Sequence, residues 1–374
     1  MHSSPPFPAS KLSPSKLHMT NTMPELGIAS LSLGSSSVHS MERKMAAAAY
    51  AGFDSIEIFD QDWDAWRDAY ASDLGLAPSK YDGDVVSIAA AKALGGLASS
   101  HKLRISCWQP LRQFEGWADP AKREASRQHA AGVLSLLPHL GTDLLLVCST
   151  TALAPHSTAD FATAVEDLAW LADQGARYNP PIRIMYEGLS FGTHRRRWQD
   201  VWAVVRAANR PNLGICLDSF NTLALEWADP YSPDGRRPSN GGLDVDTALD
   251  ANMKELVASV PGDKIFFVQV ADGQFMNGTL SPPIDPSVPR LLPWSRGHRL
   301  FPLEETRGGY LPVLKFCEAV VRTGYTGPWS LEVFNKSLAS PRPETCLEHA
   351  ERGYAGLWRT VDILKAGPTR AALL

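Results

Sequence analysis

No run of 18 apolar residues occurs anywhere in the chain, so a membrane-spanning helix is excluded. No C-x-x-C pair occurs either, and the five cysteines (Cys107, Cys148, Cys216, Cys317 and Cys346) are odd in number. That pattern excludes a disulfide framework and a structural zinc site. Three of the five lie in apolar, strand-like runs, which points to core thiols in a reducing compartment. A basic excess is also missing: 36 Lys and Arg stand against 40 Asp and Glu, a formal net charge of −4. Nucleic acid is therefore not an expected partner. The Gly-Gly pairs at 95–96, 241–242 and 308–309 fit neither a P-loop nor a dinucleotide fingerprint. Residues 1–24 hold no acidic residue and no apolar signal core, and prolines at 5, 6, 8 and 14 spoil an amphipathic transit helix. They read as a disordered tail on a cytoplasmic protein. In that setting the glycosylation triplets Asn277-Gly-Thr and Asn335-Lys-Ser are discounted.

What the chain does have is length and alternation. Its 374 residues are 44% hydrophobic, ample for a sizeable core without a disulfide or metal staple. From Leu26 onward eight strand-length apolar runs recur: 26–34, 55–59, 104–109, 143–149, 182–187, 213–218, 264–270 and 329–334. Helical stretches fall between them at 40–51, 84–101, 121–139, 158–176, 195–208, 246–259 and 310–322, with a terminal helix near 347–365. A helix in each crossover makes neighbouring strands parallel. Eight strands and eight helices add up to a single-domain α/β (β/α)8 TIM barrel over 25–366, followed by a short tail at 367–374. The alternative is a doubly wound sheet with a small extra domain. Two long polar connections, 227–243 and 271–309, follow late strands and so belong over the C-terminal mouth, as functional lids or disordered insertions.

Polar residues sit where these apolar strands end. The fifth ends at Glu187, the sixth at Asp218, the seventh around Gln269 and the eighth at Glu332. A charge at the end of an apolar strand is costly unless it is paired or metal-bound, and in a closed barrel the four positions converge above the axis. Three carboxylates and an amide oxygen form an all-oxygen cage suited to Mg2+ or Mn2+, with Co2+ also accommodated. Glu57 in the second strand is either a partner of this cage or a paired core carboxylate. Gln109, with Trp108, ends the third strand, where the pair either lines the pocket or packs the aromatic ring into the core. His194, on the loop after the fifth strand, is a candidate base. The stretch 294–301 (WSRGHRLF) carries two arginines suited to a carboxylate or phosphate.

With these residues in place, the chain resembles the xylose isomerase-like barrels of the sugar phosphate isomerase/epimerase superfamily. More narrowly, it is similar to the fungal 3-dehydroshikimate dehydratases of quinate catabolism. The resemblance covers roughly residues 24–366 and rests on FDSIEIFDQDW, CWQPLRQFEGW, MYEGLSFGTH, NLGICLDSFN, FFVQVADG, WSRGHRLFP and GYTGPWSLEVFN in that order. It implies a lyase acting on a hydroxylated cyclic keto acid, with Glu187, Asp218, Gln269 and Glu332 as divalent-metal ligands. It also implies that Ser295 and Arg299 hold the substrate carboxylate. Many relatives have a histidine three residues after the Asp ligand, and this chain has Asn221, leaving a cage carboxylate such as Glu332, or His194, as the base. A metal-dependent sugar or sugar-phosphate isomerase/epimerase is the alternative, since it shares the enolate and the cage.

Overall fold

The computed structural model describes residues 23–76, 83–239 and 242–366. The tails expected at 1–24 and 367–374 lie outside them, Met23 and Pro24 apart. Among the described residues there are ten strands: β1 (Gly27–Ala29), β2 (Ser55–Phe59), β3 (Arg104–Leu111), β4 (Leu144–Cys148), β5 (Arg183–Glu187), β6 (Leu213–Asp218), β7 (Ile265–Val270), β8 (Asp272–Gly273), β9 (Arg299–Leu300) and β10 (Trp329–Leu331). Strands β1 to β7 and β10 form one sheet in chain order, every pairing parallel. The ring is joined by a parallel bridge between Leu26 and Trp329, with Trp329 N donating to Glu25 O at 2.9 Å. This is the (β/α)8 barrel expected from the alternation, and a doubly wound open sheet is ruled out.

Local chemistry explains most boundaries. Asp caps recur at helix N-termini, where the carboxylate accepts an otherwise unpaired backbone N–H. Asp84 accepts from Ser87 N at 2.7 Å, Asp119 from Ala121 N at 2.8 Å, and Asp160 from Thr163 N at 2.7 Å. The first apolar run is shorter as a strand than its length suggests, turning into a 3-10 segment at Ser30–Leu33. There Ser30 Oγ donates to Asp62 and accepts from Phe59 N, and Ser32 Oγ accepts from Val333 N, so side chains replace the ladder. A charge-rich helix at Asp60–Asp73 was not anticipated; it buries Trp63 and the Lys44–Asp62 ion pair.

The long connections have structure of their own, contrary to their unbroken polar composition. Residues 271–309 contain the antiparallel β8–β9 ribbon and a one-and-a-half-turn helix at Leu292–Gly297. The two loops are tied together: Arg290 pairs with Asp229 at 2.9 Å, and Tyr310 OH donates to Gly235 O at 2.9 Å. Together they cover one side of the mouth and deliver Arg299 on β9. All five cysteines are buried and free. Among the described residues, no helix is long and apolar enough to cross a membrane.

Candidate metal centre and active site

At the C-terminal ends of the strands the barrel gathers the residues expected there. Glu187, Asp218 and Glu332 each offer an oxygen within 4.8 Å of the others, and all three are buried. Glu187 and Asp218 are the last residues of β5 and β6, while Glu332 directly follows β10. Gln269, on β7, is in register with Asp218 on one side and Ser330 on the other. Register thus sets Gln269 beside Asp218 and two residues before the level of Glu332, at the same end of the barrel as the three carboxylates.

Behind the cage lies Glu57, a buried carboxyl satisfied by side-chain donors, one of which also reaches the cage. Its Oε2 accepts from Gln269 Nε2 at 2.7 Å and from Gln109 Nε2 at 3.1 Å, and Ser330 Oγ donates to Oε1. Gln109 also donates to Glu332 Oε1 at 3.1 Å, linking Glu57 to the cage. With its amide nitrogen held by Glu57, Gln269 has its carbonyl oxygen free of that bond, where Cys216 Sγ approaches at 3.7 Å. Burial, reinforced by the nearby Glu332 charge, pushes the Glu57 carboxyl up to about 8.

Asn221, the departure from the family pattern, is built into the same network. Its Nδ2 donates to Glu187 Oε1 at 2.9 Å, its Oδ1 accepts from Ser190 N at 2.9 Å, and its own N–H donates to Asp218 Oδ1 at 2.8 Å. It therefore orients two carboxylates. The sequence signal was the D-x-x-N spacing at the start of the Ser219–Glu226 helix, where Asp218 is the cap.

Arg299 is the counter-charge. Its Nη1 donates to Asp218 Oδ2 at 2.7 Å and to Glu332 Oε2 at 3.1 Å, and its Nη2 reaches Ser295 Oγ at 3.2 Å. Three formal negative charges against one guanidinium leave the buried cage at −2. The carboxyls respond to this: burial, then repulsion from Glu332 and Asp218, raises Glu187 well above the ordinary range, and burial also raises Glu332.

His194 is placed differently from the cage residues. Its Nε2 pairs with Ser157 Oγ at 2.8 Å, and burial, then the adjacent Arg195, lowers its pKa. It makes no hydrogen bond to a cage residue. A cavity of about 260 Å³ opens over β3 to β5, lined by Arg112, Cys148, Phe191 and Arg296 among others. The Cys148 thiol in its wall donates to Glu187 Oε2 at 3.5 Å, so the cavity abuts the cage. A larger cavity, about 400 Å³, lies between the start of the Met41–Ala51 helix and the Asp60–Asp73 helix and contains no cage residue. Its size is no reason to place the chemistry there.

A ring of eight parallel strands with oxygen donors converging on its C-terminal mouth defines the class, and the chain belongs to the xylose isomerase-like TIM barrel family, whose pattern residues 45–354 match. Over 354 residues it is 34% identical to the 3-dehydroshikimate dehydratase of Neurospora crassa, covering 92% of this chain and 96% of that one. It is 33% identical over 298 residues to the 3-dehydroshikimate dehydratase of Pseudomonas aeruginosa, covering 79% of this chain but 36% of that one. Among solved structures, a xylose isomerase-like TIM barrel/4-hydroxyphenylpyruvate dioxygenase fusion protein superposes with a TM-score of 0.66 at 30% identity, over 91% of this chain and 43% of that one.

Proposed function

We propose that this protein is a metal-dependent 3-dehydroshikimate dehydratase, a lyase that converts 3-dehydroshikimate to protocatechuate and water. The full-length similarity to the Neurospora crassa enzyme supports the reaction. The single structural observation that carries the metal dependence is the buried cage with formal charge −2, since a divalent cation neutralises it where water cannot. Glu187, Asp218, Gln269 and Glu332 would hold the ion, and their oxygen-only chemistry suits Mg2+ or Mn2+, with Co2+ tolerated. A bound cation would polarise the substrate ketone and stabilise negative charge developing on its oxygen.

The protein's own residues supply the rest. Removal of the C4 proton, α to the ketone, and departure of the C5 hydroxyl, β to it, leave a ring that tautomerises to the aromatic product, so no redox cofactor is needed. Glu332 is the proposed proton acceptor. His194, the other candidate, pairs with Ser157 and touches no cage carboxylate, which favours Glu332. Gln109 keeps Glu332 oriented and lies beside the substrate, while Ser295 and Arg299 form the polar edge facing the substrate carboxylate.

The test is ultraviolet detection of the aromatic carboxylate product from purified protein and 3-dehydroshikimate, with Mg2+, with Mn2+ and after chelation. Product formed with metal and lost with chelator is expected. No product with metal demonstrably bound would overturn the dehydratase reading in favour of an isomerase or epimerase.

A further inference from the structure

Gln113, in the loop after β3, has a left-handed backbone at φ +51°. That conformation is disfavoured for a residue with a side chain and persists only where the surroundings enforce it. Here it brings the side-chain amide to the loop after β4. Oε1 accepts from Thr150 Oγ1 at 2.7 Å, from Ala152 N at 3.1 Å and from Thr151 N at 3.3 Å. Two of those partners are backbone N–H groups, which only donate, so the amide has one orientation. Its Nε2 therefore donates to Thr151 Oγ1 at 2.7 Å. A hydroxyl that accepts on one side still has a proton to give, and among the described residues Thr151 Oγ1 donates to no acceptor. Thr151 is half-buried and, with Gln113 and Cys148, lines the cavity of about 260 Å³ beside the cage. Its free proton is thus presented to that cavity.

We propose that Thr151, oriented by Gln113, donates a hydrogen bond to the hydroxyl that departs from C5 of the substrate. The ketone at C3 belongs at the cage, and the carboxylate at C1 belongs at Ser295 and Arg299. C5 is the third of these alternating ring positions, so its hydroxyl faces the remaining wall, where Thr151 stands. As the C4 proton passes to Glu332, the C4–C5 double bond forms and the C5–O bond breaks, its electron pair leaving on oxygen. The bond from Thr151 strengthens as that charge develops. The proton held by Glu332 completes the water, and Thr151 keeps its own. Thr151 is then a specificity residue for the C5 hydroxyl, and Gln113 is its positioning residue. The inference rests on the dehydratase reading for the substrate's identity, but its test does not depend on turnover.

The experiment measures binding to the Mn2+-loaded full chain by calorimetry with two ligands. Shikimate keeps the C5 hydroxyl and has no ketone to react; protocatechuate has lost that hydroxyl. T151V, which keeps the shape of threonine, is expected to bind shikimate about 3- to 10-fold more weakly, the range of one hydrogen bond, with protocatechuate affinity unchanged. T151S is expected to bind both ligands like wild type. Q113E keeps an acceptor for the Thr151 and Ala152 N–H groups but sets a second oxygen against Thr151 Oγ1, turning its proton away from the cavity. It is expected to reproduce T151V. Equal weakening of both ligands, the mark of a merely structural tie between the loops, overturns the inference. So does unchanged shikimate binding in T151V, or no shikimate binding by wild type. If the loss is confined to shikimate but wild type forms no product from 3-dehydroshikimate, the pairing of Thr151 with the C5 hydroxyl stands and the dehydratase reading falls. If product forms and T151V treats both ligands alike, the reading stands and the inference falls.

Discussion

Gln269 Nε2 donates to Glu57 Oε2 at 2.7 Å, across a barrel interior where both side chains are fully buried. The bond decides which end of the amide is available to the cage, because a carboxylate accepting from two amide nitrogens leaves both carbonyl oxygens turned elsewhere. Substituting glutamine at 57 leaves one oxygen where the carboxyl has two, so that either the amide donors or Ser330 Oγ must face an NH2 group, and the hold on Gln269 weakens. E57Q is expected to fold and to bind Mn2+ about 10- to 100-fold more weakly, the usual cost of losing a group that orients a ligand. Calorimetric titration checks it; wild-type affinity in E57Q would show that Glu57 is merely a filler of the barrel core.

Glu332 is asked to be both ligand and proton acceptor, so its removal should be more costly than that of a residue with one role. E332Q keeps the volume and the contact from Gln109 but loses the charge that Arg299 and the cation require. Turnover should fall by on the order of 10²–10⁴-fold or more, the worth of a positioned base alone. The circular dichroism spectrum should not change. Activity close to wild type would sink both assignments.

The cage was legible in the sequence because its members break a rule, each being a polar residue at the end of an apolar strand. The eight runs around them were legible for the complementary reason, their uniform apolarity. Glu57 could not be resolved from one strand, since only the parallel register of β2 against β3, and of β7 against β10, brings Gln109, Gln269 and Ser330 to it. The Asp60–Asp73 helix was hidden by a surface-like composition, with its buried Asp62 satisfied by Lys44 from another helix. The WSRGHRLF loop showed its charge but not its geometry. Which arginine turns toward the cage depends on the short Leu292–Gly297 helix and on the pairing of Arg299 with Gly273, both tertiary in origin.

Arg299 compensates buried charge, so its loss should be felt in stability before function. R299M leaves Asp218 and Glu332 buried without their guanidinium, which for a buried pair costs about 3–5 kcal/mol. A cation in the cage supplies positive charge to the same oxygens. Chemical denaturation should therefore show a large deficit for R299M in chelator and a clearly smaller one in saturating Mn2+. Equal deficits in both conditions would mean that the cage and the guanidinium do not share a charge balance.

Asp272 gives a pH signature away from the cage. Its Oδ1 accepts from three backbone N–H groups: Gly273 at 2.6 Å, Leu311 at 2.9 Å and Tyr310 at 3.1 Å, pinning the β8 end to the 310–311 segment. Burial outweighs these bonds and raises its pKa from 3.8 to about 7. Because the folded value lies above the unfolded one, the stabilisation is fully present below about pH 4 and is lost as pH rises toward 7. D272N keeps an acceptor for the three N–H groups and cannot ionise. Relative to wild type, the variant should therefore gain stability steadily between pH 4 and 7 and level off above it, by up to a few kcal/mol (about 1.4 per pKa unit). Melting temperatures of the two proteins across that window check it, and a constant offset at every pH would show that Asp272 ionises normally in the folded protein.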